Sequence, residues 1–110
     1  MTGNEYQKLA QRTMNLDLST EEMIVNALLG LSGEVGEIND YIKKHKYQGH
    51  QLVVDKVIEE AGDVMWYIAL LCTALYTDID TLMKRNIDKL KKRYPNGFDS
   101  DRSINREEEE

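Results

Sequence analysis

The sequence predicts an all-α fold, a four-helix bundle, and three observations carry that expectation. The long apolar segments recur at the three- and four-residue intervals of a helix rather than with the alternation of a strand. β-Branched residues do not dominate those segments, and the 110 residues include one proline and one phenylalanine. Helix start and stop signals then divide the chain into four helical stretches. The length suits one domain with a modest core.

The first helix is expected over roughly Asn4 to Met14, with Tyr6, Leu9, Ala10 and Met14 inward. Ser19 followed by Glu22 forms a capping box that starts the second helix. That helix runs to about Lys46, where Lys43, Lys44 and Lys46 suit the negative C-terminal pole. Tyr47 to His50 is the loop, and His45 and His50 read as loop residues. The third helix begins between Gln51 and Asp55 and ends near Tyr76. Asp78 caps a fourth helix, which stops before Pro95, and Asn96-Gly97 makes a turn. The domain therefore covers 1–98. Residues 99–110 form an acidic tail expected to be disordered.

Two acidic pairs stand out, Glu34-Val-Gly-Glu37 and Glu60-Ala-Gly-Asp63. The three-residue spacing puts each pair on one helix face, where like charges repel. Both pairs lie against apolar segments, ALLGL before the first and VMWYIALLC after the second. Carboxylates converging between packed helices are too costly to keep ionised without a cation. An all-oxygen donor set suits a hard ion, Mg²⁺ or Mn²⁺. Gly30, Gly33, Gly36 and Gly62 near these acids allow either close helix approach or room for a ligand. Downstream, Lys84, Arg85, Lys89, Lys91, Lys92 and Arg93 surround Asp88, and Asn86, Lys89 and Arg93 share a face at i, i+3, i+7.

Charge and composition exclude several classes. The net charge of −6 is concentrated in residues 99–110, which carry six acids and two arginines. The remaining 98 residues, with 14 acids and 12 bases, lack the basic footprint of a general nucleic-acid binder. The apolar run Val64–Tyr76 is shorter than the roughly 20 residues of a membrane span. One cysteine, Cys72, and a polar N-terminus point to a reducing, cytoplasmic setting. No Ser, Cys or His constellation suggests a covalent intermediate, and no Glu-x-x-His signature of di-iron bundles occurs.

Taken together, E-x-x-E, a 22-residue spacer (38–59), E-x-x-D, then N-x-x-K and an arginine before Tyr-Pro resemble the MazG-like nucleotide pyrophosphohydrolases. These belong to the all-α NTP pyrophosphatase superfamily, and the resemblance runs from about Leu28 to Phe98. It implies Mg²⁺-dependent hydrolysis of a nucleoside triphosphate between the α and β phosphates, giving the monophosphate and pyrophosphate, as in nucleotide-pool housecleaning. By this resemblance Glu34, Glu37, Glu60 and Asp63 match metal ligands, and Asn86, Lys89 and Arg93 match phosphate contacts. Glu59 matches an acid that often precedes the second motif, and Glu37 or Glu59 is the candidate general base. Trp66, three residues past Asp63, is a candidate base-stacking residue or a core aromatic. A phosphoribosyl-ATP pyrophosphohydrolase and a non-catalytic helical interaction module are the alternatives. The third helix is apolar almost all the way round, which with the resemblance implies a homodimer or a dimer-of-dimers tetramer.

Overall fold

The computed structural model describes residues 1–106. Helices α1 (Gly3–Ala10), α2 (Thr20–Gln48), α3 (Val54–Ala74), α4 (Ile79–Arg93) and α5 (Ser100–Ile104) follow in order, with a short 3-10 turn at Gln11–Thr13. No strand forms among the described residues, so the all-α expectation holds. None of the described helices is long and apolar enough to cross a membrane. The chain divides into two compact units, the first Met1–Ile79 and the second beginning at Asp80.

In the first unit α2 and α3 form an antiparallel hairpin, and α1 packs on α3. The expected capping box starts α2: the Ser19 side chain accepts from the Glu22 amide at 3.1 Å, and Glu22 accepts from the Ser19 amide at 3.0 Å. Gly49, in the left-handed conformation at φ 74°, ends it. The faces that α2 and α3 turn to each other follow four- and three-residue steps. On α2 they run Met23, Ala27, Gly30, Glu34, Glu37 and Tyr41; on α3, Lys56, Glu60, Asp63, Tyr67, Leu70 and Ala74, with Glu37, Lys56 and Asp63 at the exposed edge. The N-terminal half of the α2 stripe and the C-terminal half of the α3 stripe make the core, with Ala10, Met14, Ala69, Cys72 and Ile79. Gly30 is where the Tyr67 ring of α3 packs directly on α2, because a Cβ there would lie 2.1 Å from that ring. Gly33, Gly36 and Gly62 face open space, so close approach within the chain accounts for Gly30 alone.

Helix α1 departs from the expectation. It ends at Ala10, and the inward position belongs to Gln7 rather than Leu9, which is exposed. The Gln7 amide donates to the Thr73 hydroxyl at 3.2 Å and to the Thr77 carbonyl at 3.1 Å. Its oxygen accepts from the Ile79 amide at 2.9 Å. A buried amide whose hydrogen bonds are met is tolerated in a core, and this one closes the polar backbone where α3 ends. That end is a Schellman motif, in which the Thr77 amide donates to the Cys72 carbonyl and the Tyr76 amide to the Thr73 carbonyl. Tyr76 takes the left-handed position at φ 56°.

In the second unit α4 carries the basic residues, with Lys84 paired to Asp88 at 2.8 Å. Gly97, at φ 89°, makes the expected turn. Beyond it the structure differs from the expected disordered tail. Asp99 caps α5 by accepting from the Asp101 amide at 2.9 Å, and Arg102 donates to the Lys92 and Arg93 carbonyls at the end of α4. A local cap and a side-chain tie order this segment in spite of its charge. Residues 107–110 of the expected tail lie outside the described residues.

Candidate metal centre

Toward the C-terminal half of α2 the inward stripe changes from apolar to acidic, and α3 changes in step with it. Glu34 therefore occupies a half-buried place opposite Glu60, with Glu37 at the exposed edge. One carboxylate oxygen from each of Glu34, Glu37 and Glu60 lies within 4.8 Å of the others. Glu34 and Glu60 are half-buried, and Glu37 is exposed. Glu34 Oε2 and Glu60 Oε2 are each shielded from solvent without a hydrogen-bond donor.

Two such oxygens side by side are unfavourable when both are ionised. A shared proton relieves them, and the Glu34 carboxyl is pushed up to about 7. A proton held between Glu34 and Glu60 is the foremost cause, followed by burial and by the charges of Glu37, Asp63 and Glu60. A divalent cation relieves the same strain without a proton. The all-oxygen donor set and the two shielded, donorless oxygens fit a hard ion.

The structure brings three of the four expected ligands together. Asp63 lies one turn further along α3, close enough to act on Glu34, and its oxygens are outside the convergent set. Burial and the Asp63 charge together push the Tyr6 phenol up, so Asp63 looks toward α1 as well. Glu59 is exposed on α3 and outside the convergent set. Trp66 donates its indole N–H to the Thr13 hydroxyl at 2.8 Å and stands edge-on to Tyr67 at 5.0 Å, packed against the core. Asn86, Lys89 and Arg93 lie along α4 in the second unit, Asn86 and Lys89 exposed and Arg93 buried.

Beside Glu37 and Glu60 is a cleft of about 240 Å³, lined also by Asp40, Tyr41, Lys44 and Lys56. Tyr41 and Lys56 are absent from the sequence-derived site. Continuing the four- and three-residue steps outward from the two acidic pairs reaches both.

A family model described as the MazG nucleotide pyrophosphohydrolase domain matches residues 20–98. A curated relative, the Gene 37 protein of Mycobacterium phage L5, is 34% identical over 85 residues, covering 74% of this chain and 75% of its own length. No solved structure matches the chain.

Proposed function

Because the chain belongs to the MazG nucleotide pyrophosphohydrolase domain family, we propose that it hydrolyses nucleoside triphosphates between the α and β phosphates, with Mg²⁺ or Mn²⁺ at the carboxylate cluster. The observation that carries the reading is the pair of shielded, donorless oxygens of Glu34 and Glu60 beside Glu37. Glu34, Glu37 and Glu60 would hold the cation, with Asp63 as a fourth ligand. A bound ion would supply charge neutralisation for the triphosphate and lower the pKa of a water.

The chain's own groups do the rest. Glu37, exposed at the edge of the cluster, would accept a proton from water, and Glu59 is the second candidate base. Asn86, Lys89 and Arg93 would bind phosphate oxygens, the two cations stabilising the pyrophosphate leaving group. Trp66 packs in the core with its N–H committed to Thr13, and a base would meet at most its remaining ring edge. The working form is a cytoplasmic homodimer or a dimer-of-dimers tetramer.

Pyrophosphate release from a panel of nucleotides with Mg²⁺ tests the reaction. A nucleoside monophosphate and pyrophosphate are the expected products. A nucleoside diphosphate and orthophosphate would reject attack at the α phosphorus. Turnover of phosphoribosyl-ATP alone would transfer the chemistry to that substrate.

A further inference from the structure

In the second unit most of the cations of α4 have no acid to meet them. Arg85, Lys89 and Lys92 recur at i, i+4, i+7, so they share one helix face, and all three are exposed. Neither these three nor Lys91 forms an ion pair among the described residues, whereas Lys84 is paired with Asp88 at 2.8 Å. The macrodipole accounts for Lys91, Lys92 and Arg93, which lie in the last turn of the helix. It does not account for Arg85 and Lys89, and like charges one turn apart destabilise a helix. A polyanion laid along this face relieves that repulsion.

The chain supplies a polyanion a few residues further on. Helix α5 is drawn back to the end of α4, where the Arg102 guanidinium donates to the Lys92 carbonyl at 3.2 Å and to the Arg93 carbonyl. Asn105 closes α5, its amide donating to the Asp101 carbonyl at 3.1 Å. Four consecutive glutamates, 107–110, follow and lie outside the described residues. The five residues after Asn105 span up to about 17 Å when extended. Lys89 lies one turn from Lys92, about 5 Å along the helix. Because Arg102 is fixed at Lys92, the glutamates start beside the cationic face and have Lys92 and Lys89 within reach. Surface ion pairs are worth little singly, but a tether presents these carboxylates at an effective concentration on the order of millimolar.

We propose that the α4 face of Arg85, Lys89 and Lys92 is the docking surface of the chain's own glutamates 107–110, which hold it against polyphosphate as a tethered competitor. The contact stands on charge and tether, and its effect on substrate rests on the pyrophosphohydrolase reading, which gives Lys89 to phosphate. The test compares the full wild-type chain with the combined Glu107→Gln, Glu108→Gln, Glu109→Gln and Glu110→Gln variant. Zero-length carbodiimide coupling of wild type, read by peptide mass spectrometry, should join 107–110 to Lys89 or Lys92 of the same chain, and inorganic pyrophosphate should suppress the link. Links only to lysines outside α4, links only between copies in a mixture of labelled and unlabelled chain, or links that pyrophosphate leaves unchanged would overturn the proposal. In steady-state kinetics at low salt, the variant's KM for triphosphate and inhibition constant for pyrophosphate should be lower by roughly threefold, with kcat unchanged. The difference should vanish at about 0.5 M salt, where the contact is screened. Equal constants at low salt with an active wild type would overturn the competition, and an altered Mg²⁺ requirement with the same KM would give the glutamates to the metal ion instead. A wild type that releases no pyrophosphate from any triphosphate would overturn the parent reading, while the cross-links would still decide the contact.

Discussion

A carboxyl group pushed up to about 7 by its surroundings makes Glu34 the most environment-sensitive residue of the cluster. Its ordinary value is 4.5 and its folded value is about 7, so between those limits the folded chain binds more protons than the unfolded one. Stability of the metal-free protein must then fall as pH rises from about 4.5 through 7. Glu34→Gln should flatten that slope, as melting temperatures recorded in chelator across the range will reveal; an equally steep slope in the variant would place the titration elsewhere. The same substitution, like Glu60→Gln, should raise metal-free stability at pH 8 by removing repulsion, while abolishing activity. Near-wild-type turnover of either variant at saturating Mg²⁺ would exclude it as a ligand. The acidic residues were legible in the sequence because repelling pairs beside apolar runs require compensation. The offset of Asp63 from the other three was not, since spacing gives the helix face and leaves side-chain reach open. Lys56 and Tyr41 escaped for another reason: a lone lysine and a lone tyrosine carry no motif until the facing helix gives them a layer.

At the scale of elements, helix starts were readable and helix ends less so. Ser19 and Glu22 announce α2 through their side chains, whereas α3 ends at Ala74 with Tyr76 in a conformation that favours glycine. No residue type there signals a stop, and the Schellman hydrogen bonds become visible only in the fold. Tyr76→Gly should therefore stabilise the chain by about 1 kcal/mol, because an L side chain is strained at positive φ and only an exposed contact with Thr20 is lost. Chemical denaturation measures this, and a destabilised variant would assign Tyr76 a packing role. The glycines of α2 make an opposed pair. Gly30→Ala forces a methyl group into the Tyr67 ring and should cost about 1–3 kcal/mol. Gly36→Ala enters open space and should gain up to about 1 kcal/mol of helix propensity. A neutral Gly30→Ala would mean that Tyr67 yields easily. The three-residue glycine spacing in the sequence could not separate these cases, since it records the pattern and not which glycine faces α3.

For the whole molecule, the division into two units left no trace in the sequence, because α4 follows α3 after a four-residue connection with no linker-like composition. The apolar surface was partly legible. Of the run Val64–Tyr76, Ala69, Leu70, Cys72 and Ala74 are buried within the chain, and Val64, Trp66, Tyr67, Ile68 and Leu71 are half-buried. The larger exposed apolar surface lies on α2, where Leu29 is 69% exposed and Val25, Leu28, Val35 and Ile42 are also exposed. Ile58 and Met65 add to it from α3. Large apolar side chains exposed in this number are what an interaction surface offers. A second copy of the chain would cover it most economically, with α2 contributing at least as much as α3. Gel filtration coupled to light scattering should thus return a multiple of 12.7 kDa at micromolar concentration. Because Leu29 is exposed within the chain, Leu29→Glu should weaken assembly while leaving the helical content of the chain intact. Leu70→Glu, in the core, should instead unfold it. A stable and active wild-type monomer would refute the assembly, and a Leu29→Glu protein that assembles as before would move the interface off this part of α2.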